Sequence, residues 1–527
     1  MTFLSNVKMI IKTAAFALVL CSNVAYGAEA PLKEEPMAIT TATSQAPMVS
    51  KVKKSGKYGY INQTGIFVIP VEFNELTLNE NGLIAAKQKG KYGFFDQAGK
   101  TLIPVEFDEI RPFQDQLVAV KLNNKWGYYD NSGNLILPVE FDEVKSFHSG
   151  LVAAKKDKTW KYYTTSGTLA FDESFDDAVN FSDSLALVKR SGKWGFVNLQ
   201  GKIVVPFTYK DAGSFSECLA AVKTKDKWGF IDTTGKIIIE EMFNGYESGF
   251  KEGFAIVKSK GKYTYIDRHG NTAFTAPYEF VYPFEDGLAE IRVEKSSFSW
   301  GGLIGNIIQG TTGVYLPDED RNLVQSNIKR GFIDTTGTQV IPTKYDFVST
   351  FNDGLALVVV KGGTGYVNRK GEFVIPAEYQ SLSTFSDGLA MAKKADKWGY
   401  IDKTNTPLTK SQFDEIKEFS CGMGAVKFGD NWGFINRNGN LIIRARFEEV
   451  KPFTEDIAVV KYKGNWGAID KAGNFVIPPK SIYEDISEFR NGFAAVKING
   501  KWGYLSTDDQ IIIEAQYDTA TNFTLIK

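Results

Sequence analysis

The sequence predicts an all-β protein. The expected architecture is an open superhelical, solenoid-like array of about thirteen three-stranded β-meander repeats, with one or two β-propellers as the alternative. Three observations lead there. The first is composition: 43% apolar and 23% charged residues are ordinary for a folded chain, while 39 Phe, 23 Tyr and 49 Gly against 17 Pro favour short strands and tight turns. The second is a repeat, in which an aromatic-Gly pair recurs at one fixed spacing, as from Tyr58 to Tyr92 to Trp126, in nine of twelve intervals. The third is a turn signature at a fixed offset within every copy.

The pair occurs as Tyr58-Gly59, Tyr92-Gly93, Trp126-Gly127, Trp194-Gly195, Trp228-Gly229, Trp398-Gly399, Trp432-Gly433, Trp466-Gly467 and Trp502-Gly503. Degenerate copies stand in register at Trp160-Lys161, Tyr263-Thr264, Arg330-Gly331 and Thr364-Gly365, which makes thirteen. The unit reads K-W-G-F-I-D-x-x-G-x-x-V-I-P-x-E-F-D-x-V-x-x-F-x-x-G-L-A-x-V-K.

The first strand is K-W-G-F-I. Four residues after the aromatic, every copy carries Asp, Asn, Ser or Thr, and seven after it eleven copies carry Gly. The exceptions are Asn405 and Asp509, which tolerate the left-handed region better than other side chains. An Asx residue followed three positions later by Gly makes a type I turn closed by a positive-φ residue, and hence a hairpin. The V-I-P run is the second strand, with Pro placed at its end, where no ladder donor is needed. A connection carrying E-F-D leads to the third strand, L-A-x-V-K. Phe recurs near position +21 in twelve copies, Phe113 to Phe523, and an aromatic recurs near +15. Both columns are read as core, because a unit this short must stack on its neighbours to bury itself. Two features bear on closure. The array is divided into seven and six copies by one interval of about double length, from Tyr263 to Arg330. In addition, Val49 to Lys53 resembles a lone third strand, while the last copy ends before its own. This offset closes a ring or caps an open array, and the open array is preferred.

These columns resemble the WG-repeat (KWG) family of bacterial proteins, on K-W-G-F-I-D-x-x-G repeated over residues 48–527. The resemblance implies a β-rich, repetitive and often exported protein and supplies little chemistry.

Domain boundaries follow from the breaks in the pattern. Residues 1–27 form a signal-peptide pattern: Lys8 and Lys12, a short apolar run, then Ala25-Tyr26-Gly27 with small residues at −3 and −1. Residues 28–47 are an Ala/Pro/Thr/Glu-rich flexible linker, 48–295 hold repeats 1–7, 296–328 an inserted loop, and 329–527 repeats 8–13. No transmembrane segment is expected in the mature chain. Its location is then exported, periplasmic or extracellular, in the cell envelope.

The residues exclude several functions. Loss of Lys8 and Lys12 from 61 basic residues leaves 59 against 62 acidic ones, so nucleic acid is not a partner. His148 and His269 belong to different copies and read as solvent-facing turn residues; Cys218 and Cys421 read as small, semi-buried fillers. Gly93 to Gly99-Lys100-Thr101 imitates a phosphate loop but has five intervening residues instead of four and no following helix. Asp318, Asp320 and Asn322 begin like a calcium loop, but Leu323 stands at the Gly position. The E-F-D carboxylates, such as Glu106 and Asp108, read as a charged edge, and the Lys column at +29 as their cross-strand partners. No catalytic residue, cofactor or metal is assigned. The expected function is an exported, non-enzymatic scaffold that binds a protein partner along an extended β surface. The alternative is a cell-envelope polysaccharide binder using exposed aromatics and Lys. The insertion is the long segment that the repeat does not explain, and its Trp300, Leu303, Ile304 and Tyr315 are the candidate partner-binding residues.

Sequencing the N-terminus of the exported protein should begin near Ala28; a chain that retains Met1 at its destination would contradict the export assignment.

Overall fold

In the computed structural model, which describes residues 48–294, 328–410 and 412–525, every regular element is a β-strand. The first hairpin shows how the unit is made. Strand β1 (Met48–Lys54) pairs antiparallel with β2 (Lys57–Asn62), and β2 pairs with β3 (Phe67–Phe73). The turn between β2 and β3 carries the predicted signature. In the third copy the Ser132 and Asn134 N–H groups donate to Asp130 Oδ1 at 2.9 and 2.8 Å, and Gly133 has φ +85°. All thirteen residues at that offset have positive φ, including Asn405 at 65° and Asp509 at 62°. These two exceptions add a contact that glycine lacks. Tyr379 Oη donates to Asn405 Oδ1 at 2.7 Å, and Tyr483 Oη to Asp509 Oδ1 at 2.8 Å, each from the preceding copy.

The sheets have four strands where the sequence suggested three. In most copies the chain leaves the V-I-P-x-E-F strand and, one residue later, forms a short strand, commonly of two residues, in the next sheet. Leu135–Phe141 pairs with the Trp126 hairpin, whereas Glu143–Val144 pairs with Lys155–Ala154 of the following one. Between them only Asp142 intervenes, and its N–H still donates to the Lys155 carbonyl. One extended run therefore serves two sheets. In the sheets holding Trp160 and Trp398 the last strand is reduced to isolated bridges, such as Trp160 with Phe175 and Trp398 with Phe413.

The expected open array is overturned by the chain ends. β1 pairs with Thr519–Ala520 through Val52 and Ala520, and with Thr524–Leu525 through Met48 and Leu525. Met48, Val52 and Ile61 share a core with Ala495, Tyr504, Tyr517 and Phe523. The lone N-terminal strand thus supplies what the last copy lacks, and thirteen sheets close into one ring, the propeller alternative. The seam is hydrogen-bonded as well as apolar. Ser50 Oγ donates to the Thr521 carbonyl at 2.6 Å and meets Tyr504 Oη at 2.5 Å.

Two aromatic columns fasten sheet to sheet. The Phe near +21 sits on the aromatic at +2 of the same copy, which belongs to the preceding sheet. Examples are Phe113 on Phe94 at 5.1 Å, Phe147 on Tyr128 at 5.0 Å and Phe453 on Phe434 at 4.8 Å. Tilted or edge-on contacts of this kind add about 0.5–1.5 kcal/mol each beyond area burial. Where the +2 ring is Tyr, its hydroxyl must be satisfied, and it donates to a carbonyl just beyond the two-residue strand, as Tyr128 to Lys145 at 2.5 Å and Tyr400 to Lys417 at 2.6 Å.

The Gly of the aromatic-Gly pair has a packing reason. Trp126 pairs with Phe141 and Tyr128 with Leu137, so the outer strand bulges by two residues opposite Gly127. A Cβ on Gly127 would lie 2.6 Å from the Leu137 carbonyl oxygen. In the copy where Thr264 replaces the Gly, the bulge is absent. Tyr263, Thr264 and Tyr265 pair in unbroken register with Ala276, Thr275 and Phe274, and the strand is five residues long instead of seven. Pro lies inside this bulge, as Pro138 does, and not at the strand end; pairing is already interrupted there, so its missing N–H costs nothing.

Gly127→Ala should therefore destabilise the ring by about 1–3 kcal/mol, the usual cost of overpacking against atoms that cannot move aside. Denaturant unfolding measures this, and a loss below about 0.5 kcal/mol would contradict the bulge argument.

Candidate functional site

The surface that could carry function is built from the Trp column, the cations around it and the carboxylates that face them. Each Trp lies directly opposite the +29 Lys of the adjoining strand, as Trp126 opposite Lys121. The ammonium groups sit over the rings: Lys121 at 5.3 Å from the centroid of Trp126, Lys189 at 5.3 Å from Trp194, Lys461 at 5.7 Å from Trp466. The same lysines reach the E-F-D carboxylates, as in Lys121–Glu109 at 3.2 Å and Lys461–Glu449 at 3.0 Å. The column is thus an internal pairing device, as the sequence suggested.

A second set of cations was not singled out from the sequence. Arg111 stacks on Trp126 at 4.1 Å, Lys145 on Trp160 at 4.9 Å, Lys417 on Trp432 at 5.3 Å and Lys451 on Trp466 at 5.3 Å. Three of them also reach across to the next sheet: Arg111 to the Val144 carbonyl at 2.8 Å, Lys417 to Val450 at 2.7 Å, Lys451 to Ile486 at 2.5 Å. Burial pushes the Lys417 ammonium below its ordinary value. The signal was present in the sequence as a cation directly after the E-F-D-x-V segment of the preceding copy. Trp126, Trp160, Trp432 and Trp466 have it and are buried; for Trp194, Trp228, Trp398 and Trp502 the same position holds Val179, Gly213, Ser383 and Ser487, and these rings are half-buried. A sugar ladder needs open indole faces, and this column does not offer them.

The carboxylates are engaged in the same way. Lys91 pairs with Asp108 at 2.5 Å and Lys501 with Asp518 at 2.6 Å, and Lys125 with Asp142 and Lys397 with Asp414 repeat the arrangement. The second carboxylate oxygen often caps the neighbouring hairpin, as Asp108 accepts from the Asn123 N–H at 2.8 Å. On the opposite ends of the strands, acids join adjacent sheets: Arg369–Asp286 at 3.0 Å, Lys403–Asp353 at 2.7 Å, Arg268–Glu217 at 3.4 Å. Among the described residues, no general acid–base pair is left over from this scheme in one enclosed place.

The remaining candidates are dispersed. His148 is half-buried beside the Ser146 carbonyl, and His269 is exposed in a turn. Cys218 and Cys421 are unbridged and exposed at positive-φ turn positions, not semi-buried as expected. Among the described residues no group of three or more His, Cys, Asp or Glu could hold a metal ion, and no helix is long and apolar enough to cross a membrane. Trp300, Leu303, Ile304 and Tyr315 lie outside the described residues, as do the signal-peptide and linker segments. What is described is the root of the insertion. The ladder runs through Val293 with Lys329 to Glu294 with Ile328, and Lys329 Nζ pairs with Asp346.

A pH dependence follows. Hydrogen bonds from Lys91, Lys125, Lys397 and Lys501 hold Asp108, Asp142, Asp414 and Asp518 below the usual carboxylate value. The folded value being lower than the unfolded one of about 3.9, the stabilisation is complete above that pH and is lost as pH falls through the folded value. Scanning calorimetry should show a thermal midpoint that drops below about pH 4, and Lys91→Met with Lys125→Met should shrink that drop. A drop of unchanged size would place the acid sensitivity elsewhere.

Likeness to solved structures is slight. The chain is 13% identical to a eukaryotic initiation factor, covering 71% of this chain and 97% of that one at a TM-score of 0.31. It is 11% identical to the extracellular domain of a putative hybrid two-component system from B. thetaiotaomicron, covering 90% and 77% at 0.22. It is also 11% identical to Hsv2p of Kluyveromyces lactis, covering 42% and 93% at 0.27. Scores this low carry no argument. No curated protein matches the chain. The family described as "WG containing repeat" matches thirteen times, at residues 58–92, 92–126, 126–160, 162–194, 194–228, 228–263, 263–295, 331–363, 365–398, 398–432, 432–466, 466–502 and 502–524. With its repeat matched thirteen times along nearly the whole of residues 58–524, this chain belongs to the WG-repeat family.

Proposed function

We propose that the protein is an exported, non-catalytic ring scaffold that binds a protein partner, with the insertion after Glu294 as the main docking element. One observation carries the reading. The recurring aromatic, basic and acidic columns are taken up by contacts within and between sheets, and the insertion is the long break in the pattern. In eleven of the other hairpins the same connection takes two residues, and in one, between Lys223 and Trp228, it takes four. Here the strands run on to Glu294 and Ile328, and the whole segment 295–327 replaces the turn. A hairpin on a rigid sheet tolerates such a segment at small entropic cost, so the ring gains a distinctive element without loss of its frame. The segment's Trp300, Leu303, Ile304 and Tyr315 supply the aromatic and apolar side chains that dominate interface energetics. Export rests on the leader pattern of residues 1–27.

The test replaces residues 295–327 with Asn-Gly, a turn suited to a two-residue hairpin. The ring should keep its thermal midpoint within a few degrees. Quantitative capture from envelope fractions should show a partner retained by the intact chain and reduced at least about tenfold by the deletion, equivalent to about 1.4 kcal/mol. Equal capture by a folded deletion would move the site onto the repeats, and an unfolded deletion would make the insertion structural.

A further inference from the structure

The sheet that closes the ring departs from most of the others in charge. Its hairpin keeps the lysines of the repeat: Lys53 at the +29 position, Lys54 beside it and Lys57 before the aromatic. The carboxylates that meet those lysines elsewhere are replaced. Thr519 stands where Glu109 faces Lys121, Gln516 where Glu140 faces Lys156, and Asn74 where Asp108 faces Lys91. Lys54 therefore bonds the neutral Gln516 at 2.9 Å, and among the described residues none of Lys51, Lys53, Lys54 and Lys57 has a carboxylate in ion-pair range. Lys54 and Lys57 lie directly opposite each other, a like-charge pair that costs stability unless neutralised. The Arg190–Lys193 and Lys394–Lys397 hairpins share that pairing; Lys394 and Lys397 have Glu378 and Asp414, and Arg190 lies over the rings of Phe175 and Phe207, so what sets the closing sheet apart is Lys51.

Lys51 is the second departure. It pairs with Tyr60 in a column that is apolar in eleven other copies, at Ala119 opposite Tyr128, Leu187 opposite Phe196 and Met391 opposite Tyr400 among them. These three are at most 5% exposed. The other charged occupant of the column, Glu290, is paired with Arg292 at 2.5 Å and Arg330 at 3.5 Å. Lys51 is half-buried, and its ammonium meets the Leu76 carbonyl at 3.3 Å and, like that of Lys53, the ring of Tyr58, at 5.6 and 5.1 Å. A cation moved into a core column without a counter-charge is unfavourable by itself. An anionic occupant would relieve it.

We propose that this closing sheet is a docking surface for an acidic polypeptide segment, whose carboxylates take the places that Thr519, Gln516 and Asn74 leave neutral. The lysines are carried on two paired strands, with Lys51 and Lys53 on one face about 7 Å apart, the repeat of an extended chain. That spacing suits successive same-side carboxylates of a peptide. The proposal rests on the protein-partner reading above and gives that partner an acidic stretch, but it assigns a site separate from the insertion.

The experiment uses the full mature chain and a fluorescein-labelled oligoglutamate peptide as probe, read by anisotropy at low and physiological salt. Lys51→Gln with Lys53→Gln should weaken binding about tenfold, while Lys121→Gln with Lys125→Gln, an equal change in net charge on another sheet, should leave it within about twofold. Because lysine variants could disturb closure, a second variant restores the acids: Gln516→Glu with Thr519→Glu should raise the thermal midpoint and abolish peptide binding. Equal losses in both lysine pairs, or undiminished binding to the Glu variant, would overturn the proposal. So would binding that is seen only after residues 28–47 are removed, which would give the site to the chain's own Glu29–Glu35 stretch. No partner needs to be known for this measurement, so failure of the capture experiment leaves it standing, and the reverse.

Discussion

Everything in this ring depends on a strand that belongs to two sheets. Residues 135–144 pair first with the hairpin behind them and then with the hairpin ahead, and the switch takes one residue, Asp142. A link that short keeps neighbouring sheets close, and it lengthens only where residues 277–279 and 481–484 join sheets. The rest of the unit is arranged around that restraint. The two-residue bulge lies in the strand before the switch, Gly127 makes room for the bulge, and the Trp-cation layer lies on the hairpin side. The copy with Thr264 has no bulge, while the copy with Lys161 keeps the offset, Trp160 meeting Phe175 and Tyr163 meeting Leu169, with its last strand reduced to bridges.

Charge in this protein is mostly satisfied internally. Paired Lys and Asp or Glu recur around the ring at exposed positions, where one pair contributes little. Their placement gives them a different value, because they lie across paired strands, at hairpin turns or between sheets, as Lys451 with Asp485 does at 2.9 Å. Repetition fixes register: a slip of one residue would set every lysine of a strand on the wrong face at once. Against that regular background a local departure becomes readable, and the neutral side chains of the closing sheet are informative for this reason.

The unit was legible in the sequence because its signals are local. Asp or Asn at +4 with Gly at +7 spans one turn, and the turn formed as read even at Asn405 and Asp509. The Phe column was legible as core, since its period matched the stacking period; Phe147, Phe215, Phe453 and Phe489 are buried. The fourth strand was not legible. Glu143–Val144 is two residues long and follows Phe141 with no turn residue between, so nothing marks it as a new element. Closure was also hidden. Val52 and Ala520 meet from opposite ends of the chain, and each unit looks the same in an open array as in a ring. What decides is how one sheet packs on the next, as where Gly99 lies close against the Val68 carbonyl, which no single copy displays. The two-cation Trp sites were missed for a simpler reason: the partner cation sits in the previous copy, just past its E-F-D-x-V segment, as Arg111 does for Trp126. The candidate anchors of the insertion were chosen because the pattern fails there, and a failed pattern marks a place without describing its geometry.

The seam between β1 and residues 519–525 has a consequence in time. A ribosome releases β1 first and its partners last, so for nearly the whole of synthesis the strand Met48–Lys54 holds only its own hairpin on one side and bare backbone donors and acceptors on the other. The twelve interior sheets can assemble in order as they emerge, each on its predecessor. The last step is of another kind: it joins the oldest part of the chain to the youngest and carries the longest loop in the molecule. Until it happens, two unpaired edges stand open at once, each shaped to accept the other and therefore also the matching edge of a sister chain. Completion of this protein is thus a single late event, and the concentration of half-made neighbours sets how often it goes astray.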